Sequence, residues 1–217
     1  MYKNLIFDLD GTILNTLGDI SNSVNLALNS FGHKANYNSE QVKALVGSGS
    51  KQIFVRALKD KQVSEQELEK ILGLYLDSYA HNHLEHSFPY EGISDLLSSL
   101  NKQGYKLFCL TNKPHAIAQS VIKHFFPNIF IEVVGQVEGY PLKPDPTLLN
   151  DLFDKYNLIK AETLYIGDSD IDMKTANNGG LAVVFVSWGF RIYEDVKHLK
   201  PTYKADSAKQ LEAIITQ

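Results

Sequence analysis

The sequence predicts an α/β fold: a doubly wound parallel sheet, Rossmann-like, with an all-helical domain inserted after its first strand. Three observations predict it. Short apolar runs recur along the chain, helical spacing fills the gaps between the later runs, and the long gap after the first run holds helical spacing alone.

The first strand is Leu5, Ile6 and Phe7, directly ahead of Asp8; further runs cover 106–110, 129–134, 163–166 and 182–186. Each is short, apolar on both faces and rich in β-branched or aromatic residues, the pattern of parallel strands covered by helices on both sides. Helical segments near 93–103, 114–125, 145–156 and 170–178 alternate with these strands. Residues 16–86 differ. Ile20, Val24, Ala27, Leu28 and Phe31 make one apolar stripe at helical spacing, and Leu68, Ile71, Leu72, Tyr75 and Tyr79 make another. So long a helical stretch is no simple crossover between strands. The expected domains are an α/β core of residues 1–15 and 88–217 and a helical cap of residues 16–87, with Pro89 and Gly92 marking the return.

With 217 residues, 44% of them hydrophobic and 21% charged, the chain can bury a core without disulfide staples. A net charge of −4 argues against nucleic acid or an anionic membrane as partner, because both call for a basic face. The single cysteine, Cys109, excludes an internal disulfide and suits a reducing compartment; its apolar strand makes it a core filler. Asp8 and Asp10 interrupt the first apolar run before a signal-peptide core forms, and no stretch approaches the roughly 18 apolar residues of a membrane helix. A cytoplasmic protein is expected, of oligomeric state that the sequence does not set.

Four polar clusters fall where the expected strands end: Asp8 to Thr12, Thr111 with Asn112, Lys143 to Pro146, and Gly167 to Asp172. Ligands of open α/β sheets bind beyond the carboxyl ends of the strands, so these clusters converge in space. Asp8 and Asp10, two residues apart in an extended stretch, lean the same way, and Gly11 allows a sharp turn. Together with Asp168 and Asp172 they would repel one another unless a hard cation such as Mg²⁺ neutralised them. Lys143 adds a positive charge, and Thr111 and Asn112 add donors. A carboxylate nucleophile, Mg²⁺, a lysine and hydroxyl donors point to phosphoryl transfer through an aspartyl-phosphate.

Plainer readings stand beside these. A calcium loop needs Gly at position six and usually Glu at twelve; counting from Asp168 gives Met173 and Gly179, and from Asp8 gives Ile13 and Asp19. Ser169 and Asp172 resemble a capping box, a structural role that does not exclude a metal role. Asp145 followed by Pro146 reads as a helix cap with Pro at the first helical position, and Asp170 as a solvated acid at a helix start. His81, His83 and His86 lack convergent helical spacing for zinc. Gly47, Ser48 and Gly49 are either a turn or a donor-rich loop that closes on an anion.

Asp8, Asp10, Gly11 and Thr12, then Thr111, then Lys143 with Pro144, then Gly167, Asp168 and Asp172 resemble, in order, the four motifs of the haloacid dehalogenase (HAD) superfamily. Within it the chain is similar to the phosphoglycolate phosphatases. The features are Thr16, Leu17, Asp19 and Ile20, then Val46, Gly47 and Gly49, then 111–114, and Trp188, Gly189 and Phe190. The resemblance implies a Mg²⁺-dependent phosphatase acting on a small phosphorylated metabolite. Asp8 would attack phosphorus, and Asp10 would serve as general acid and then base. Thr111 and Lys143 would hold the phosphoryl oxygens; Asp8, the Asp10 carbonyl and Asp168 would bind the metal, with Asp172 supporting it directly or through water. Asn112 and the cap loop of Gly47, Ser48 and Gly49 would bind substrate.

Asn15 and the stretch 136–141 depart from the family pattern and bear on the substrate. The best single expectation is 2-phosphoglycolate. Alternatives are a β-phosphoglucomutase-like phosphomutase and a phosphatase for pyrophosphate or nucleotide monophosphates. Lys51, Arg56 and Arg191 are possible anion binders or solvated charges. A signalling receiver domain would be about half as long and lack the helical insertion, and intact Asp8, Asp10, Lys143 and Asp168 argue against an inactive scaffold.

Overall fold

The computed structural model describes residues 1–217. The chain begins with strand β1 (Asn4–Phe7) and a tight loop, then β2 (Leu14–Asn15). Four helices follow: α1 (Leu17–Ser30), α2 (Ser39–Lys43), α3 (Ser50–Ala57) and α4 (Glu65–Asn82). Next come β3 (Phe88–Pro89), α5 (Ile93–Lys102), β4 (Lys106–Pro114), α6 (His115–Phe125) and β5 (Glu132–Gln136). The chain ends with α7 (Thr147–Tyr156), β6 (Thr163–Gly167), α8 (Asp170–Gly179), β7 (Ala182–Val186), α9 (Tyr193–Val196), β8 (Tyr203–Ala205) and α10 (Ala208–Ile215). It divides into two compact units, Met1–Asn15 with Pro89–Gln217 and Thr16–Phe88.

The first unit is the expected doubly wound α/β fold. Its six-stranded sheet has the order β5-β4-β1-β6-β7-β8, and every neighbouring pair is parallel. Strand β1 sits in the middle, with Phe7 opposite Cys109 on one side and Ile166 on the other. The strand order reverses there, so the ligand crevice of such a sheet lies at the end of β1. Ile6, Phe108 and Tyr165 face one way and pack with Leu149, Leu152, Met173 and Ala176 of α7 and α8. Leu5, Phe7, Leu107 and Cys109 alternate with them and are fully buried too. Burial on both faces is why these strands read as continuous apolar runs, and each such side chain contributes roughly 1.5–3 kcal/mol.

Several elements differ from the sequence expectation. Strand β4 runs on past residue 110 to Pro114, with a register shift against β5 between Leu110 and Pro114. Strand β5 begins at Glu132 rather than 129: Asn128 turns left-handed at φ 61°, and Phe130 sets its ring edge-on to Phe7 at 6.2 Å. Strand β8 lies outside every expected run, because three residues that include Lys204 make no apolar pattern. Helix α7 starts at Thr147, which makes Pro146 rather than Asp145 its N-cap; Asp145, one residue earlier, accepts the Thr147 N–H at 2.9 Å.

In the helical unit the expected stripes are buried, apart from the half-buried Phe31 and Leu72. Tyr75 meets Phe54 edge-on at 5.3 Å and stacks on Tyr79 at 5.4 Å. Buried Asp19 accepts the His86 N–H at 2.8 Å and the Ser87 hydroxyl at 2.5 Å, which ties the unit's first helix to its last segment. His81 and His83 direct Nδ1 to carbonyls of their own helix, those of Asp77 and Ala80.

Candidate active site

Beyond Phe7 the β1 backbone continues one more step, with the Asp8 N–H donating to the Ile166 carbonyl at 2.9 Å. That bond places the Asp8 side chain at the strand's carboxyl end. The chain then doubles back: the N–H groups of Thr12, Ile13 and Leu14 all turn onto the Leu9 carbonyl. Gly11 makes this possible at φ +89°, where a side chain would be strained. A Cβ there would also lie 2.4 Å from Asp168 Oδ2, so the loop packs its bare backbone against the β6 carboxylate.

The polar clusters at the strand ends of the α/β unit come together. Carboxylate oxygens of Asp8, Asp168 and Asp172, all buried, lie within 4.8 Å of one another. Lys143 reaches into the group: its Nζ stands 2.9 Å from Asp8 Oδ1 and 2.8 Å from Asp172 Oδ1. The same ammonium donates to the Leu110 carbonyl and the Tyr165 hydroxyl oxygen, each at 3.0 Å. Burial pulls the Lys143 pKa down, but the Asp172 and Asp8 charges outweigh it and hold it well above its usual value.

The carboxylates differ in how they are held. Asp168 Oδ1 accepts from the Thr12 hydroxyl at 3.1 Å, and Oδ2 from the Phe190 N–H at 2.7 Å. Gly189 permits that approach, since a Cβ there would fall 2.3 Å from the Asp168 Cβ. Trp188 donates its indole N–H to the Thr12 carbonyl at 2.9 Å and closes this corner. Asp172 forms the expected capping box of α8, with Oδ2 accepting the Ser169 N–H at 3.1 Å and its hydroxyl at 2.6 Å. Its Oδ1 takes Lys143 and the Tyr165 hydroxyl, the latter at 3.2 Å. Burial, reinforced by Asp172, pushes the Asp8 carboxyl up to about 7 against the pull of Lys143. Burial and the Asp172 and Asp8 charges also hold Asp168 well above the carboxylate range.

Asp10 stands apart from this trio. Its carboxylate pairs with Lys113, whose Nζ lies 2.8 Å from Oδ1 and 3.1 Å from Oδ2. Thr111, buried at the expected position, accepts the Lys113 N–H on Oγ1 at 3.3 Å. Asn112 holds the Lys143 backbone. Its amide NH₂ donates to the Lys143 carbonyl at 3.0 Å, and its Oδ1 accepts the Lys143 N–H at 2.9 Å. This pair clamps the Lys143 backbone to β4.

Gly47, Ser48 and Gly49 belong to the helical unit. There Arg56 donates to the Leu45 carbonyl at 2.7 Å, the Val46 carbonyl at 3.3 Å and the Ser48 hydroxyl at 2.7 Å, so its guanidinium braces that loop. Lys51 pairs with Glu65 on the surface.

Two functional positions were not singled out as such from the sequence. Lys113 falls in the 111–114 motif, which implies no role for it, and Tyr165 falls in an apolar strand run. A lysine directly after Thr111 and Asn112, where an apolar strand ends, is the signal for the first; nothing in the sequence marks the second.

A parallel sheet that gathers acidic side chains and a lysine at its central strand defines a class, and the comparisons agree with it. The haloacid dehalogenase-like hydrolase family matches residues 5–186, and the chain belongs to that family. Within it, the chain is an enzyme similar to phosphoglycolate phosphatases. It is 30% identical over 222 residues to the phosphoglycolate phosphatase of Aliivibrio fischeri, covering 99% of this chain and 96% of the relative. It is 32% identical over 214 residues to that of Psychrobacter arcticus, covering 95% and 93%. The crystal structure of a predicted phosphoglycolate phosphatase from Haemophilus somnus superposes with a TM-score of 0.91 at 29% identity, covering 100% of this chain and 98% of that one.

Proposed function

We propose that the protein is a Mg²⁺-dependent phosphatase of small phosphate monoesters, with 2-phosphoglycolate as its preferred substrate, and that it works through an aspartyl-phosphate on Asp8. The observation that carries this reading is Asp8 itself: a carboxylate at the end of the central strand, with a lysine ammonium at 2.9 Å and two further carboxylates within 4.8 Å. The names of the relatives support the substrate.

The donor set fits Mg²⁺. Three buried carboxylates face one lysine, all the ligand atoms on offer are hard oxygens, and their mutual repulsion is of the kind a divalent cation relieves. Asp8 and Asp168 would hold the ion, together with the Asp10 carbonyl that the family resemblance implies. Asp172 is better suited to holding Lys143, because its Oδ1 already lies 2.8 Å from that ammonium, whereas Asp168 accepts from the neutral Thr12 hydroxyl and Phe190 N–H. Bound there, Mg²⁺ would supply positive charge to the phosphoryl oxygens and keep Asp8 ionised.

The remaining steps belong to the chain's own side chains. An Asp8 oxygen attacks phosphorus, and the bond from phosphorus to the ester oxygen breaks. Asp10 delivers a proton to the departing alkoxide, then takes one from the water that attacks the acyl phosphate; phosphate leaves and the Asp8 carboxylate is restored. Lys143 and Thr111 hold the transferring oxygens, and the helical unit serves as the cap. No helix is long and apolar enough to cross a membrane, and we place the enzyme, with its small phosphorylated substrate, in the cytoplasm.

Phosphate release from a panel of monoesters, with Mg²⁺ and with EDTA, tests this reading. The expected result is Mg²⁺-dependent release with preference for 2-phosphoglycolate. Conversion of β-glucose 1-phosphate to an isomer without phosphate release would make the enzyme a mutase.

The crowded carboxylates also predict a pH dependence. Burial and the Asp172 charge let Asp8 keep its proton up to about 7 in the folded chain, against an ordinary value of 3.8. Between those values the folded state binds more protons than the unfolded one, so without a cation stability falls as pH rises through that window. A cation removes the penalty. The Mg²⁺-induced rise in Tm is therefore larger near pH 8 than near pH 5. Thermal unfolding in Mg²⁺ and in EDTA at both values checks this, and an equal rise at each would contradict it.

A further inference from the structure

We propose that Lys113 determines substrate specificity: its buried ammonium, held beside Asp10, receives the carboxylate of a phosphate ester whose phosphoryl group lies at Asp8. This rests on the phosphatase reading above and adds to it the residue that recognises the acid.

Lys113 is the second lysine buried at the sheet's carboxyl end, with its side chain 2% exposed, and the mechanism leaves it without a task. A buried ammonium is costly unless paired, so its place is not incidental. Its backbone is fixed closely: a Cβ at Gly135 would lie 2.5 Å from the Lys113 carbonyl oxygen, so β5 packs directly against it. Only Gly fits there.

Geometry links Lys113 to the leaving group. Its Nζ lies 2.8 Å from Asp10 Oδ1. Asp10, as the acid for the leaving oxygen, stands one hydrogen bond from that oxygen, which brings Nζ within about 6 Å of it. In the ester of a 2-hydroxy acid a carboxylate oxygen lies roughly 3 Å from the ester oxygen by covalent geometry, so it spans the gap to Nζ. At present both Asp10 oxygens face the ammonium, at 2.8 and 3.1 Å. When Asp10 turns one oxygen to the leaving group, a substrate carboxylate takes its place on Lys113. A neutral leaving group offers no such replacement.

The test compares 2-phosphoglycolate with ethyl phosphate, in which a methyl group replaces the carboxylate, for the wild type and for Lys113→Gln and Lys113→Arg. For Lys113→Gln, KM for 2-phosphoglycolate rises, and the ratio of kcat/KM for the two esters falls about 10- to 100-fold, the worth of a charged hydrogen bond. Equal losses on both esters would overturn the proposal, because Lys113 would then act only by holding Asp10. If Lys113→Gln does not fold, Lys113→Arg keeps the positive charge on Asp10 and carries the test: the ratio shifts by more than about threefold if the substrate touches this side chain, and an unchanged ratio overturns the proposal. A wild type that hydrolyses both esters without preference overturns this proposal alone. One that releases phosphate from neither overturns the phosphatase reading with it.

Discussion

Asp8→Asn should abolish turnover while leaving the protein folded. The amide is nearly isosteric with the carboxylate but is a far poorer nucleophile, and loss of a nucleophile removes on the order of 10⁴- to 10⁶-fold in kcat. Stability should move the other way. In the absence of a cation, burial and the Asp172 charge oppose an ionised Asp8, so a neutral Asn relieves the cluster. Above about pH 7 in EDTA the variant should melt at the wild-type temperature or higher, and its response to Mg²⁺ should shrink. Residual activity within about tenfold of wild type would remove Asp8 from the nucleophile's role.

Lys143→Met should combine a loss of activity with a loss of stability. This ammonium is shared by Asp8, Asp172, the Leu110 carbonyl and the Tyr165 hydroxyl, at 2.8 to 3.0 Å. Its removal leaves two buried carboxylates without their cation, and breaking such a buried pair from one side costs about 3–5 kcal/mol. Loss of an electrostatic partner of the phosphoryl group should lower kcat by about 10²- to 10³-fold in whatever protein remains folded. Arg is not a conservative replacement here, because a planar guanidinium cannot point at partners grouped around one compact nitrogen. Urea unfolding and kcat measured on the same preparation check both effects. A stability loss below about 1 kcal/mol would mean that the ion pairs contribute little.

How much of this was legible in the sequence follows from burial. The central strands could be read because both of their faces are covered, which forces apolar residues into Leu5 to Phe7 and 163–166 without interruption. Strand β8 offered no such run, and the start of β5 was misplaced because Phe130 is apolar for ring packing on Phe7 rather than for strand pairing. Asp8 and Asp168 were legible because a charge just past a strand end is conspicuous against an apolar run, whereas Lys143, in the loop after β5, stood out through its place in the family motif. The division of labour among the carboxylates was not legible. The capping box of Ser169 and Asp172 was expected, but that Asp172 also binds Lys143 and that Asp10 binds Lys113 depends on contacts between residues 29 and 103 positions apart. The amide of Asn112 shows the same limit: its spacing marked a donor at the site, and only the fold shows it turned onto the Lys143 backbone.

The central claim is a covalent phosphoryl group on Asp8, and rapid acid quench of the enzyme during turnover of 2-phosphoglycolate tests it most directly. Peptide mapping by mass spectrometry should find one phosphoryl group on the segment that contains Asp8, labile to hydroxylamine and absent from Asp8→Asn. Turnover with no phosphorylated peptide at any quench time, or with the label on another residue, would contradict the account.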